Sequence, residues 1–304
     1  RQRQMCIRDR AGKDYTEMER LRSYSSIFSR SVFSDIIEYD DYTRLNILLE
    51  RYNNSQKHFQ TYLDYIKYAY HTIARKYRCE YVYKNEIISK LLIRKYGTKN
   101  TIALNEFRVR NSIVDFALFN GESKAFEIKT EYDTQKRLEH QIEEYSKLFE
   151  KCYVVIPDKS FYDYENNIPK NVGIIILTTN YGRIQLKEMR KALPNEYIDI
   201  DVLMRSIRTI EYKNIVKNYF GKIPEVSCFE MFEECKSLIS KIPQSELHKL
   251  FLTEIKRRKN NTLILKSLPI EIRQICLSMN LNKKQSDIPV SYTHLRAHET
   301  VLDL

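Results

Sequence analysis

Asn120-Gly121, set between two apolar alternating segments, constrains the fold of this chain more than any other pair of residues. Asn-Gly is the strongest short-range hairpin signal, because both residues accept the positive φ that a tight connection between strands demands. The strands it would join are Ile113–Phe119 and Ala125–Lys129. Loop length then decides which side chains share a face. A two-residue turn would pair Phe119 with Glu122 and Asp115 with Phe126, putting Asp115 and Glu127 on opposite faces. A three-residue loop, Phe119-Asn120-Gly121, pairs Leu118 with Glu122, so that Asp115 faces Ala125 with Glu127 diagonal on the same side. Val114, Phe116 and Leu118 alternate on one strand, and Phe126 and Ile128 on the other. Only the odd-length loop gathers all five on one side as a core. That register predicts Asp115, Glu127 and Lys129 together on the other side.

Two carboxylates held a few ångströms apart repel each other and need a compensating cation. A hard divalent ion such as Mg²⁺, with Mn²⁺ able to replace it, suits oxygen ligands and keeps water in its remaining positions. Asp115 and Glu127 are the expected metal ligands, completed by the backbone carbonyl of Ile128. Lys129, two residues on along a strand, would orient the attacking water or stabilise developing negative charge. This set suffices for metal-assisted phosphodiester hydrolysis.

The surrounding sequence predicts an α/β protein. Val82–Tyr96 reads as an amphipathic helix closed by Gly97. Ile102–Arg108 reads as a first strand ahead of the hairpin. Thr134–Glu150 follows as a helix, Cys152–Ile156 as a buried strand ended by Pro157, and Gly173–Thr179 as a further strand. The order is α-β-β-β-α-β-β over residues 81–190. Residues 12–80 read as helical, including Ile36–Tyr52 and His58–Tyr77. Residues 191–289 are helical again, with breaks near Gly221–Pro224, Pro243 and Pro269. Residues 1–11 and 290–304 look like translated sequencing-adapter read-through and are excluded from fold reasoning. Those ends carry five Arg against one Glu and two Asp, so removing them takes the net charge from +11 to +9. A basic chain favours a polyanionic partner. No apolar run is long enough for a membrane span, and no secretory signal is expected. Six cysteines without metal-binding or disulfide spacing point to the cytoplasm.

Asp115 followed by Glu127-Ile128-Lys129 on the next strand of such a core resembles the PD-(D/E)XK nuclease superfamily. Gln141-Ile142-Glu143-Glu144-Tyr145 is similar to the Q-x-x-x-Y motif of its RecB-like branch. The stretch Glu127 to Thr134, with Arg137-Leu138, Gln141 and Tyr145, resembles more closely a bacterial PD-(D/E)XK-like family of unknown function known by a locus tag. The likeness covers about residues 82 to 158 and departs at Val114, where the superfamily's name has proline. It implies a restriction-endonuclease-like fold, metal-dependent cleavage of nucleic acid (DNA ahead of RNA), and site roles for Gln141 and Tyr145. It also implies an acid on the first core helix. Glu86 is the best match, and Glu106 on the first strand is its rival.

Each reading has a plainer counterpart. Glu254-Ile255-Lys256 repeats the letters of Glu127-Ile128-Lys129 within a helical stretch, where a solvated face is expected. Tyr145 follows the helical spacing of Leu138, Ile142 and Phe149 and is equally a core residue. Asp133 or Thr134 could cap the helix, and Arg137 could grip phosphate or pair with Asp133. Lys256, Arg257 and Arg258 could contact a phosphate backbone, although such runs are more often solvated surface. The 23 tyrosines are expected mainly in cores. The rival function is a non-catalytic nucleic-acid-binding or protein-interaction module in a defence or mobile-element system, with a homodimer or protein partner compatible with either reading.

Overall fold

A computed structural model describes residues 15–52 and 57–291, so the adapter-like ends lie outside the described residues apart from 290–291. The chain divides into two compact units, one of Arg1–Asn85 with Ser267–Leu304 and one of Glu86–Lys266. Among the described residues, no helix is long and apolar enough to cross a membrane.

The first unit is helical. It contains α1 (Glu17–Ser26), α2 (Arg30–Tyr39), α3 (Thr43–Tyr52), α4 (Tyr62–Lys76) and most of α5 (Glu80–Glu86). Capping boxes, Thr16 with Glu19 and Thr61 with Asp64, start α1 and α4. The single helix expected over Ile36–Tyr52 is two, because Asp40 turns left-handed at φ 53°. Aspartate is among the few residues that adopt this conformation readily. Tyr62, Tyr65 and Tyr70 are buried on α4, the core role expected of many tyrosines.

The second unit holds the mixed α/β fold that the sequence predicted, with a π-helix at Ile87–Tyr96 in place of the α-helix expected there. Gly97 has positive φ but extended ψ, so it redirects the chain rather than closing a left-handed cap. β1 (Ile102–Val109), β2 (Ser112–Phe119) and β3 (Ser123–Ile128) follow. Next come α6 (Leu138–Ser146), β4 (Lys151–Pro157), α7 (Phe161–Asn167), β5 (Gly173–Asn180) and β6 (Arg183–Arg190). The six strands pair in chain order, parallel between β3, β4 and β5 and antiparallel elsewhere. Gly173 is required where β5 meets β4, since a Cβ there would lie 2.3 Å from the Tyr153 ring. The helices α8 (Ile200–Ser206), α9 (Thr209–Phe220), α10 (Met231–Ile239) and α11 (Gln244–Lys256) complete this unit. α12 (Arg273–Ser278) and α13 (Lys283–Ser291) belong to the first.

Both faces of the β2–β3 hairpin are covered. Leu138, Ile142 and Tyr145 of α6 share a cluster with Phe107, Val114, Ala117, Phe119 and Ala125. Elsewhere, Phe126 stacks on Tyr153 at 5.3 Å and meets Phe116 edge-on. Each buried phenylalanine contributes about 1.5–3 kcal/mol. Val114 therefore groups with Ala117 and Phe119, not with Phe116 as the alternation predicted. The cause is a local break in the ladder. Asn105 pairs with Phe116 and Phe107 with Val114, but Glu106 between them is left-handed at φ 56° and does not pair with Asp115.

Candidate functional site

The hairpin loop has three residues, as the parity argument required, but they are Asn120-Gly121-Glu122. Phe119 pairs with Ser123 and Phe116 with Phe126. The loop closes through Asn120 N–H donating to the Glu122 carbonyl at 3.1 Å, with Gly121 at φ 104°. Ser123, at the base of the hairpin, donates its N–H to Glu150 Oε2 at 2.7 Å, and Glu150 N–H returns to the Ser123 hydroxyl at 2.9 Å. This reciprocal bond favours starting the strand at Ser123 and so moves the loop one residue on. The register consequently slides by two. Continued one step beyond Phe116 and Phe126, it sets Asp115 opposite Glu127, not opposite Ala125.

Asp115 Oδ2 accepts the Ile128 N–H at 2.7 Å, so the aspartate joins β2 to β3 beyond their last paired residues. Lys129 N–H donates to the Val155 carbonyl at 3.0 Å, extending the pairing with β4 and fixing the lysine's backbone. Its side chain then lies on the Glu127 side, as strand periodicity demands. Lys129 Nζ donates to Glu127 Oε1 at 2.8 Å and to Gln141 Oε1 at 3.0 Å. Tyr145 Oη lies 2.9 Å from Glu127 Oε2 and 2.7 Å from the Ile113 carbonyl, two acceptors for one proton. Gln141 Nε2 donates to Tyr145 Oη at 3.4 Å. α6 delivers both side chains because residues four apart lie on one helix face. Tyr145 is thus both things the spacing allowed: its ring is core and its hydroxyl touches the acid.

Glu127 is 2% exposed. Burial pushes its carboxyl above the usual carboxylate range, against the pull of the Lys129 ammonium and the hydrogen bonds from Lys129, Tyr145 and Gln141. Burial, then the Glu127 charge, makes the Tyr145 hydroxyl far less acidic than a free phenol.

The remaining expected site residues fall elsewhere. Glu86 is buried and gives its carboxylate to Lys90 at 2.9 Å, one turn along. Glu106 occupies the register position beside Asp115 but is exposed. Among the described residues, no three His, Cys, Asp or Glu side chains gather as a metal cluster. Arg137 is exposed and precedes the first turn of α6, which starts at Leu138 and not at Thr134. Asp133 does not face Arg137. Its Oδ2 accepts the backbone N–H and the hydroxyl of Thr130, both at 2.7 Å, closing the turn after Lys129. The Thr-x-x-Asp spacing was the available signal for that turn. Arg258 makes two 2.7 Å bonds to Glu211, and Arg257 pairs with Glu254 at 2.6 Å, so only Lys256 of that trio fits a plain solvated surface residue. Glu254, expected on a solvated helix face, is buried. It accepts from Asn214 at 2.8 Å and Asn218 at 3.3 Å as well.

The family model described as Bacteriophage P4 protein cII matches residues 73–279. Protein cII of Enterobacteria phage P4 is 26% identical over 192 residues, which is 60% of this chain and 65% of that protein. The chain thus spans about two thirds of the length of that relative. A solved structure of a protein of unknown function from Silicibacter pomeroyi is 13% identical and covers 48% of this chain and 93% of its own, with a TM-score of 0.29, too low to bear on the fold. Neither description names a nuclease.

Proposed function

The chain belongs to the bacteriophage P4 protein cII family, and on that premise we propose that its second unit hydrolyses phosphodiester bonds of nucleic acid, DNA ahead of RNA, with a divalent metal ion. One observation carries the reading: Lys129 Nζ bridges Glu127 and Gln141 on the edge of the hairpin that also presents Asp115. Three separate elements converge there on two acids, an ammonium, a carboxamide and a phenol, the groups that the PD-(D/E)XK resemblance implies. The donors suit Mg²⁺ or Mn²⁺, since Asp115, Glu127 and the Ile128 carbonyl would hold it through oxygen alone. Water would complete the shell, which Mg²⁺ accepts readily. When bound, the ion supplies charge neutralisation and a more acidic water. Lys129 holds the developing negative charge, Gln141 fixes the ammonium, and Tyr145 orients the Glu127 carboxylate. The same reading makes the protein a cytoplasmic one.

A second reading has its own observation. Both Glu127 oxygens already have donors within the chain, Lys129 and Tyr145. A module that kept the fold and lost the chemistry would look the same, and the phage family gives it a mobile-element setting. Incubation of end-labelled DNA and RNA with Mg²⁺, Mn²⁺ or EDTA separates the two. The hydrolytic reading expects metal-dependent cutting by the wild type, abolished by EDTA and lowered by about 100-fold in Lys129→Ala. Binding without cutting in either metal selects the second reading, and equal turnover by Lys129→Ala removes that residue from the mechanism.

A further inference from the structure

We propose that the cavity beside Glu106 binds a phosphate group of a single nucleic-acid strand. The choice of nucleic acid rests on the hydrolytic reading, while the affinity for phosphate rests on the cavity itself. Its volume is about 350 Å³, near the lower end of the roughly 300–1,000 Å³ of small-ligand sites. That admits one nucleotide unit.

Asn105, Arg108, Ser206, Arg208, Arg258 and Lys259 line it, together with Glu106. The cations come from three distant segments: β1, the junction of α8 and α9, and the end of α11. Arg258 is the fixed wall, held by its two bonds to Glu211 and lying over the Phe107 ring at 5.2 Å, with only 12% of its side chain exposed. Arg108, Arg208 and Lys259 are exposed at the rim. Four cations thus face two carboxylates, Glu106 and the Glu211 already paired with Arg258.

Position connects the cavity to the acidic pair. The left-handed Glu106 that breaks β1 pairing lies across from Asp115, and adjacent strands are about 4.8 Å apart. α8, α9 and α11 pack into the same apolar cluster as α6, so the cavity and the Glu127–Lys129 group lie on one side of the sheet. A strand gripped at the cavity would run on to the acids.

The test is fluorescence anisotropy of a labelled single-stranded oligothymidylate with the full chain in EDTA, over a salt series. Arg108→Ala/Arg208→Ala/Lys259→Ala is expected to lose roughly tenfold or more in affinity and about two units of log–log salt slope. Arg183→Ala/Lys187→Ala/Lys191→Ala, which removes three exposed cations from β6 and its end, is expected to change affinity by less than about twofold. Equal losses in the two triple variants, wild-type binding by the cavity variant, or no binding by the wild type would each overturn the proposal. Cavity-dependent binding by a wild type that cuts nothing in Mg²⁺ or Mn²⁺ would keep the cavity and remove the hydrolytic reading alone.

Discussion

Glu127-Ile128-Lys129 and Glu254-Ile255-Lys256 share three letters, and each begins with a glutamate only 2% exposed. Their surroundings differ because one lies on a strand and the other on a helix. On β3 the side-chain period is two, so the lysine returns to the glutamate's face and closes on it at 2.8 Å. On α11 residues two apart do not face each other, so Lys256 goes to solvent and Glu254 pairs with Arg257, three residues along, at 2.6 Å. Glu254 also ties α9 to α11 through Asn214 and Asn218. The first motif gathers an acid, a base and a carboxamide beside a second acid. The second fastens two helices.

Exchanging the two lysines should separate the motifs most sharply. If the hydrolytic reading is right, Lys129→Ala lowers kcat by about 100-fold, roughly 2.7 kcal/mol, while Lys256→Ala leaves it within twofold. Initial rates on one labelled substrate measure both, and equal losses would erase the distinction. The stability contrast comes next. Glu254→Ala strands two asparagine amides and an arginine and should cost about 2–3 kcal/mol by urea unfolding, without altering cutting by the folded protein. A cost below about 0.5 kcal/mol would show that the helix tie is ornamental.

The strand motif should also respond to pH. Lys129→Met removes the charge that opposes the burial-driven rise in the Glu127 carboxyl, so the folded-state value climbs further. A raised carboxyl binds more protons folded than unfolded, so stability is lost as pH rises from the ordinary carboxylate range through the folded value. Measured in EDTA, the variant should fall behind the wild type as pH rises above the ordinary carboxylate range, by about 1.4 kcal/mol per unit of added shift. A constant gap across that rise contradicts the coupling. The smallest expected effect is Tyr145→Phe, about 1 kcal/mol of stability for the hydroxyl's bond, with a several-fold lower rate and an unchanged fold by circular dichroism.

Much of this contrast was legible in the letters. The odd loop, the shared face of Glu127 and Lys129, and the delivery of Gln141 and Tyr145 by one helix all follow from periodicity. The register did not, because it depends on Ser123 and Glu150, residues 27 apart whose mutual hydrogen bonds no local pattern encodes. The apolar alternation also misled at Val114, since both sheet faces are covered and Glu106 interrupts β1. β6 went unread because its exposed side chains, Arg183 and Lys187 among them, make it look like a loop, a common disguise of sheet edges. The helix at Thr134 started late because Asp133 bonds back to Thr130 instead of capping forward. The burial of Glu254 depended on α9, which nothing near residue 254 announces.

The claim beneath the contrast is that Asp115 and Glu127 together hold one divalent ion. Anomalous diffraction from crystals soaked in Mn²⁺ tests it directly. The account predicts a single strong peak in contact with both carboxylates, absent in Asp115→Asn. Crystals that take up Mn²⁺ elsewhere, or not at all, while Lys129 stays closed on Glu127, would contradict it.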